Sequence, residues 1–116
     1  MSVEAEIYNA LKGLVGNRVY PDVAPSNALA PYITYQEVGG AAVNFLLQEV
    51  PNKANSRFQI NVWSKTRSEA KTIANAACDA LRLATQLQTT VVGGVTATYD
   101  EATTMRGTRQ DFSIWF

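Results

Sequence analysis

The chain has 116 residues, of which 47% are hydrophobic and 17% charged, and its ten Lys and Arg balance ten Asp and Glu. That length implies one domain with its own core, and the composition is that of a globular protein, not a disordered one. Zero net charge gives no bulk attraction to nucleic acid or to an anionic membrane, the lone cysteine, Cys78, excludes an intrachain disulfide, and no stretch approaches the roughly 20 apolar residues of a membrane span.

Ser2 can cap a helix whose apolar residues, Val3, Ile7, Leu11 and Leu14, recur on one face. Glu4 and Glu6 fall in its first turn, where the helix dipole favours acids, and Gly13 or Gly16 can end it. The same acidic start lacks the basic opening of a signal peptide, so a protein made and used from the cytosol is expected. After Val19-Tyr20 and a proline-bounded loop from Asp22 to Pro31, Tyr32 to Val38 is rich in strand formers. Gly39-Gly40 stops that run. Ala41 to Asn55 reads as a long hairpin arm or mobile loop carrying Phe45-Leu46-Leu47.

Ser56 to Ser64 alternates: Phe58, Ile60 and Val62 face one way, and Arg57, Gln59, Asn61 and Trp63 the other. Thr66-Arg67-Ser68-Glu69 fits a capping box with Glu69 reaching back to the Thr66 amide. The helix it opens carries a stripe of Ala70, Ile73, Ala74, Ala77, Leu81 and Ala84, small enough to lie close to a sheet. Thr90-Val91-Val92 and Val95 to Tyr99 flank Gly93-Gly94, a pair suited to a tight hairpin turn. Arg109 to Phe116 closes the chain with Gln110, Phe112, Ile114 and Phe116 on one face. The pattern predicts an α+β fold: a mainly antiparallel four- to five-stranded sheet with two helices packed on one face.

The sequence contains no histidine, which removes Ser-His-Asp and Cys-His catalysis and the common zinc sites. One cysteine cannot build a metal cage, and no glycine spacing makes a phosphate cradle. Ser68-Glu69-Ala70-Lys71 matches the S-x-x-K pattern of penicillin-interacting enzymes, but their other motifs are missing, and a solvated first helical turn explains it. Cys78 lies beside the apolar stripe of the second helix and reads as a small core filler. Lys53, Arg57, Lys65, Arg67 and Lys71 stand against the single acid Glu69 in the same span, which is either a solvated surface or a patch for nucleic acid.

Two tryptophans do not belong to this core pattern. Trp63 and Trp115 sit on the polar sides of the two long strands. A tryptophan on a polar sheet face is either an interface anchor or a residue packed beneath a local loop, such as the Ala41 to Asn55 arm. Phe45, Leu46 and Leu47, exposed if the arm is free, form a second contact surface. The candidate site residues are therefore the interface group Phe45, Leu46, Leu47, Trp63 and Trp115.

The opening helix, Val19-Tyr20-Pro21 with Ala24-Pro25, Pro31-Tyr32-Ile33-Thr34-Tyr35, Phe58 to Lys65 running into Glu69-Ala70-Lys71, and the closing Asp111-Phe112-Ser113-Ile114-Trp115 follow one another in an order that resembles the tail completion (tail terminator) proteins of long-tailed bacteriophages. The resemblance implies a structural protein without catalysis or cofactor. It implies a ring, typically sixfold, that caps the head-proximal end of the tail tube, stops tube polymerisation and forms the surface joining the head. Its implied partners are further copies of itself, the tail tube protein and head-neck connector proteins, in the virion at the head-tail junction, with neither a membrane nor sequence-specific nucleic acid involved. The alternatives are another neck protein, such as a head-closure or connector protein, and a small binding module.

Overall fold

The computed structural model describes residues 2–44, 46 and 50–116. Helix α1 (Val3–Leu11) starts where the Ser2 hydroxyl accepts the Ala5 N–H at 3.1 Å, filling one of the donors that the first helical turn leaves free. The chain then tightens into a 3-10 turn, Lys12–Leu14. Three residues per turn in place of 3.6 advances the phase of the apolar stripe. Val15 consequently enters the core while Leu14, the expected member of the stripe, is only half-buried.

The strands are β1 (Val19–Pro21), β2 (Tyr32–Glu37), β3 (Asn55–Ser64), β4 (Thr90–Asp100) and β5 (Met105–Trp115), in sheet order β1-β2-β3-β5-β4. All neighbours are antiparallel except β1 and β2, which run parallel in the register Val19↔Ile33. The centre is the β3–β5 ladder, paired without interruption from Asn55↔Trp115 to Ser64↔Arg106. Because side chains alternate, this register sends Phe58, Ile60, Val62, Phe112 and Ile114 to one side. There α2 (Arg67–Leu83) covers β3 and β5 with α1 beside it. Ala70, Ala74, Ala77 and Leu81 are the residues of α2 that become buried, with Ile73 and Ala84 packed at the margin. Cys78 lies at the same margin of the core. Each large apolar side chain in this layer contributes roughly 1.5–3 kcal/mol.

Two local expectations change form. Glu69 does not reach the Thr66 amide. It accepts instead from the hydroxyl of Ser64, a side chain with no exposed surface, and the Ser64 oxygen accepts the Thr66 N–H at 3.3 Å. Thr66 keeps its expected role and accepts the Glu69 N–H at 3.2 Å. The capping box thus runs through a buried serine that ties the end of β3 to the start of α2. Nor is Gly93-Gly94 a hairpin turn. Thr90 to Asp100 is one strand along β5, and the four steps from Val92 to Thr96 face the two from Asp111 to Arg109, so the glycines form a β-bulge. Gly93 takes a φ of +78°, open to glycine at no steric cost, and buried Gln110 donates its Nε2–H to the Gly93 carbonyl at 3.1 Å. The hairpin turn lies at residues 101–104, where the Asp100 carboxylate accepts from Ala102 N–H and from the Thr103 hydroxyl, both at 3.0 Å. Phe116, expected on the core side, is 41% exposed at the sheet's end and pairs with Ala54 through both backbone groups.

The buried serine is the weak point of the β3–α2 junction. Ser64→Ala is expected to lower the unfolding free energy by about 1–3 kcal/mol, because it strands two polar groups. Thr66→Ala is expected to lower it by about 1 kcal/mol. Urea unfolding of the two variants checks the ranking.

Candidate functional site

With both helices on one face, the other face of the sheet is open. Its central rows are Asn55, Arg57, Gln59, Asn61 and Trp63 on β3 and Gly107, Arg109, Asp111, Ser113 and Trp115 on β5. Arg57 donates its Nε–H to Asp111 Oδ2 at 2.8 Å, and its second nitrogen lies 2.7 Å from the same oxygen. The pair is partly solvated and adds little stability; beside it on the same face Arg109 stands exposed.

Trp63 and Trp115 both lie on this face, at opposite ends. Trp63 stands opposite Gly107, and Trp115 is eight residues further along β5, roughly 27 Å away at the usual strand rise. The two do not form one patch. Trp63 is half-buried because its six-membered ring lies on Gly107. A Cβ added there would come within 2.7 Å of Trp63 Cε3 and 2.6 Å of Thr98 Oγ1. Glycine is needed at this point for close approach, not for its backbone angles. The loop beside Trp63 is residues 22–24, not the arm.

Around Trp63 the face is concave. Tyr32, Thr34, Asn61 and Trp63 floor a depression of about 350 Å³, with Asp22 on the β1 side and Asp100 on the β4 side. Tyr32 meets Tyr20 edge to face, with ring centroids 6.1 Å apart. Burial raises the Tyr32 hydroxyl above the ordinary tyrosine value, and the Asp100 carboxylate and Tyr20 add to the effect. Tyr35, on the core side, is raised by burial and then by Glu4 and Asp22.

At the far end, the arm leaves the sheet. Asn55 secures its base: its Nδ2 donates to Ser113 Oγ at 2.8 Å and to the Ile114 carbonyl at 3.2 Å, and its Oδ1 accepts the Ala41 N–H at 2.8 Å. Beyond this anchor Leu46 and Val50 are almost fully exposed. Phe45 and Leu47, the other arm residues expected at an interface, lie outside the described residues.

The five cations expected as a possible patch are not one surface. Lys53 and Arg57 belong to the arm end of β3, whereas Lys65, Arg67 and Lys71 gather at its other end around the start of α2. Among the described residues, no group of three or more His, Cys, Asp or Glu side chains is placed to hold a metal ion. No described helix is long and apolar enough to cross a membrane. The depression's two acids went unmarked in the sequence because the register that gathers them spans the whole chain. Gly107 opposite Trp63 was equally invisible without that register.

The family model described as Tail completion protein gp17 matches residues 6–116. The chain belongs to this family. It is a bacteriophage tail structural protein of α+β fold, as the ordered motifs implied. A chain in the solved virion of a native gene transfer agent (GTA) particle has the same fold, with a TM-score of 0.67 and 23% identity over 98% of this chain and 93% of that one. None of the curated proteins matches.

Two outcomes check this geometry. Gly107→Ala is expected to lift the Trp63 ring, shift tryptophan fluorescence and destabilise the fold by about 1–3 kcal/mol. An alkaline titration followed by tyrosinate absorbance should show Tyr32 and Tyr35 ionising above the ordinary tyrosine value, with Asp100→Asn moving Tyr32 back toward it. Since their folded pKa values are raised, the stability these two residues contribute is complete below pH about 10 and is lost as pH rises through their folded values.

Proposed function

We propose that this protein caps the head-proximal end of a tail tube as a ring, stops addition of tube protein and forms the surface on which the head docks. The observation that carries the proposal is the family match along almost the whole chain. The fold is compatible with the role. A ring that closes a tube needs one surface for its neighbours and another for the tube. This chain has an open sheet face and, projecting from one end of the same sheet, an arm with exposed Leu46 and Val50. We assign the arm, with Phe45, Leu46 and Leu47, and Trp115 near its base to the tube-facing contact, and the Trp63 region to contact within the ring. The partners on this reading are further copies of the chain, six in a ring, the tail tube protein and the neck connector proteins of the virion. No catalytic step and no cofactor enters the role.

Purified protein added to purified tail tubes should bind one tube end only, visible by negative-stain electron microscopy, and should block further tube growth. Leu46→Ser combined with Val50→Ser should leave the circular dichroism spectrum unchanged and weaken tube binding by about tenfold, the loss expected when one small apolar anchor is removed. Binding to neither tube end would sink the proposal, and binding to head portals alone would make the chain a connector.

A further inference from the structure

The depression around Trp63 and the start of α2 occupy the same end of the sheet on opposite sides of the molecule. Trp63 lies on the open face, while Ser64, the next residue, leads through Lys65 directly into α2, which covers the other face. The two surfaces have opposite charge. On the open side, the Asp22 backbone N–H donates to the Tyr35 carbonyl while its carboxylate takes no hydrogen bond or ion pair among the described residues, and Asp100 uses its two carboxylate oxygens to hold the following turn. Around the start of α2, Arg67 and Lys71 are exposed on the helix and Lys65 at the end of the sheet, where it lines a hollow with residues 28–30 and 103–105; Glu69, the acid among them, accepts from Ser64 while remaining exposed. Among the other cations, Arg18 is engaged with the Pro31 carbonyl, Arg57 with Asp111 and Arg106 over the Tyr99 ring, while Arg109 stands exposed on the open face opposite Asn61.

Resting on the ring reading above, we infer that each copy seats the basic start of α2 of its neighbour, Lys65 and Arg67 foremost, in the acidic, tryptophan-floored depression of its own open face. The occupant is therefore a second copy of this chain, chosen by charge complementarity. Two carboxylates flanking an indole suit a lysine or guanidinium head, which takes ion pairs from the sides and a cation–π contact from below. The placement suits closure as well. A rotation without translation joins surfaces at the same height on opposite sides of a subunit, and a contact of that kind is heterologous and closes into a ring. With strands along the ring axis, the two surfaces are level because one tripeptide, Trp63-Ser64-Lys65, connects them. The same arrangement leaves the base of the arm, held by Asn55, at the other end of the strands. Paired charges across the interface select neighbour and register more than they add affinity.

Two variants that repel themselves but complement one another test this. The first, Asp22→Arg with Asp100→Asn, makes the depression basic while the Asn oxygen still accepts the Ala102 N–H and its amide can donate to the Thr103 hydroxyl. The second, Lys65→Glu with Arg67→Glu, makes the helix start acidic and places an acid where the helix dipole favours it. Thermal melts establish that both fold. If the left-handed backbone at Asp22 rejects Arg, Asp22→Asn with Asp100→Asn removes both charges instead and must lower ring yield by itself. Ring formation is measured by light scattering and negative-stain microscopy, alone and on tail tubes. The native chain is expected to form rings, each variant alone to lose ring yield about tenfold or more, and an equal mixture of the two charge-reversed variants to recover it. Variants that each form rings as well as the native chain would overturn this contact and leave the ring reading standing. A native chain that stays monomeric both alone and on tubes would overturn the ring and the contact together.

Discussion

The β3–β5 ladder is the constraint on which the rest of this molecule depends. Ten consecutive cross-strand pairs place every even-numbered residue of β3 and β5 toward the helices and every odd-numbered one away. A slip of one residue would exchange the two sets, burying Arg57, Asn61 and Asp111 and exposing Phe58, Val62 and Phe112. The large apolar surface on one side therefore holds the register, and the register in turn composes the open face. The core contributes stability, and as a by-product of its geometry it positions Trp63 on Gly107 and the Arg57–Asp111 pair between the strands.

The ends of the ladder are finished in different ways. At one end Ser64, Thr66 and Glu69 lock the strand to α2 through a buried hydroxyl, so the turn from sheet to helix is rigid. At the other end Asn55 bridges β5 and the arm with three side-chain hydrogen bonds, after which the chain leaves the sheet. The three bonds of Asn55 fix the base from which the chain leaves the sheet. The edges are also unequal. β1 is three residues long and ends in Pro21, which cannot donate to a ladder, whereas β4 is eleven residues long and is interrupted by the glycine bulge that Gln110 holds. Short strands, proline and bulges all limit edge-to-edge aggregation.

Family membership and physical chemistry meet in the chain's surface. Its distinctive surface residues are Leu46 and Val50 beyond Asn55, the acids Asp22 and Asp100 beside Trp63, and the cations Lys65, Arg67 and Lys71 around the start of α2.

The sequence by itself determined what depends on neighbours a few residues apart. Alternation marked β3 and β5, the three-to-four-residue stripe and the Thr66 cap marked α2, and the ordered motifs marked the family. Phe58, Ile60, Val62, Ala70, Ala74, Ala77 and Leu81 were all legible as core from their spacing alone. Tertiary structure decided whatever depends on which distant segments meet. Gly93-Gly94 has the composition of a hairpin turn, but a strand following it in sequence could not outcompete pairing with β5, which gives β4 a ladder on both sides of the glycines. Glu69 found Ser64 because the end of β3 is buried beneath the helix start. Trp63 and Trp115 looked alike in sequence, each a lone aromatic on a polar face, yet the register puts one over a glycine between two acids and the other beside the arm. Local spacing encodes the direction in which a side chain points, and only the assembled sheet decides what it meets there.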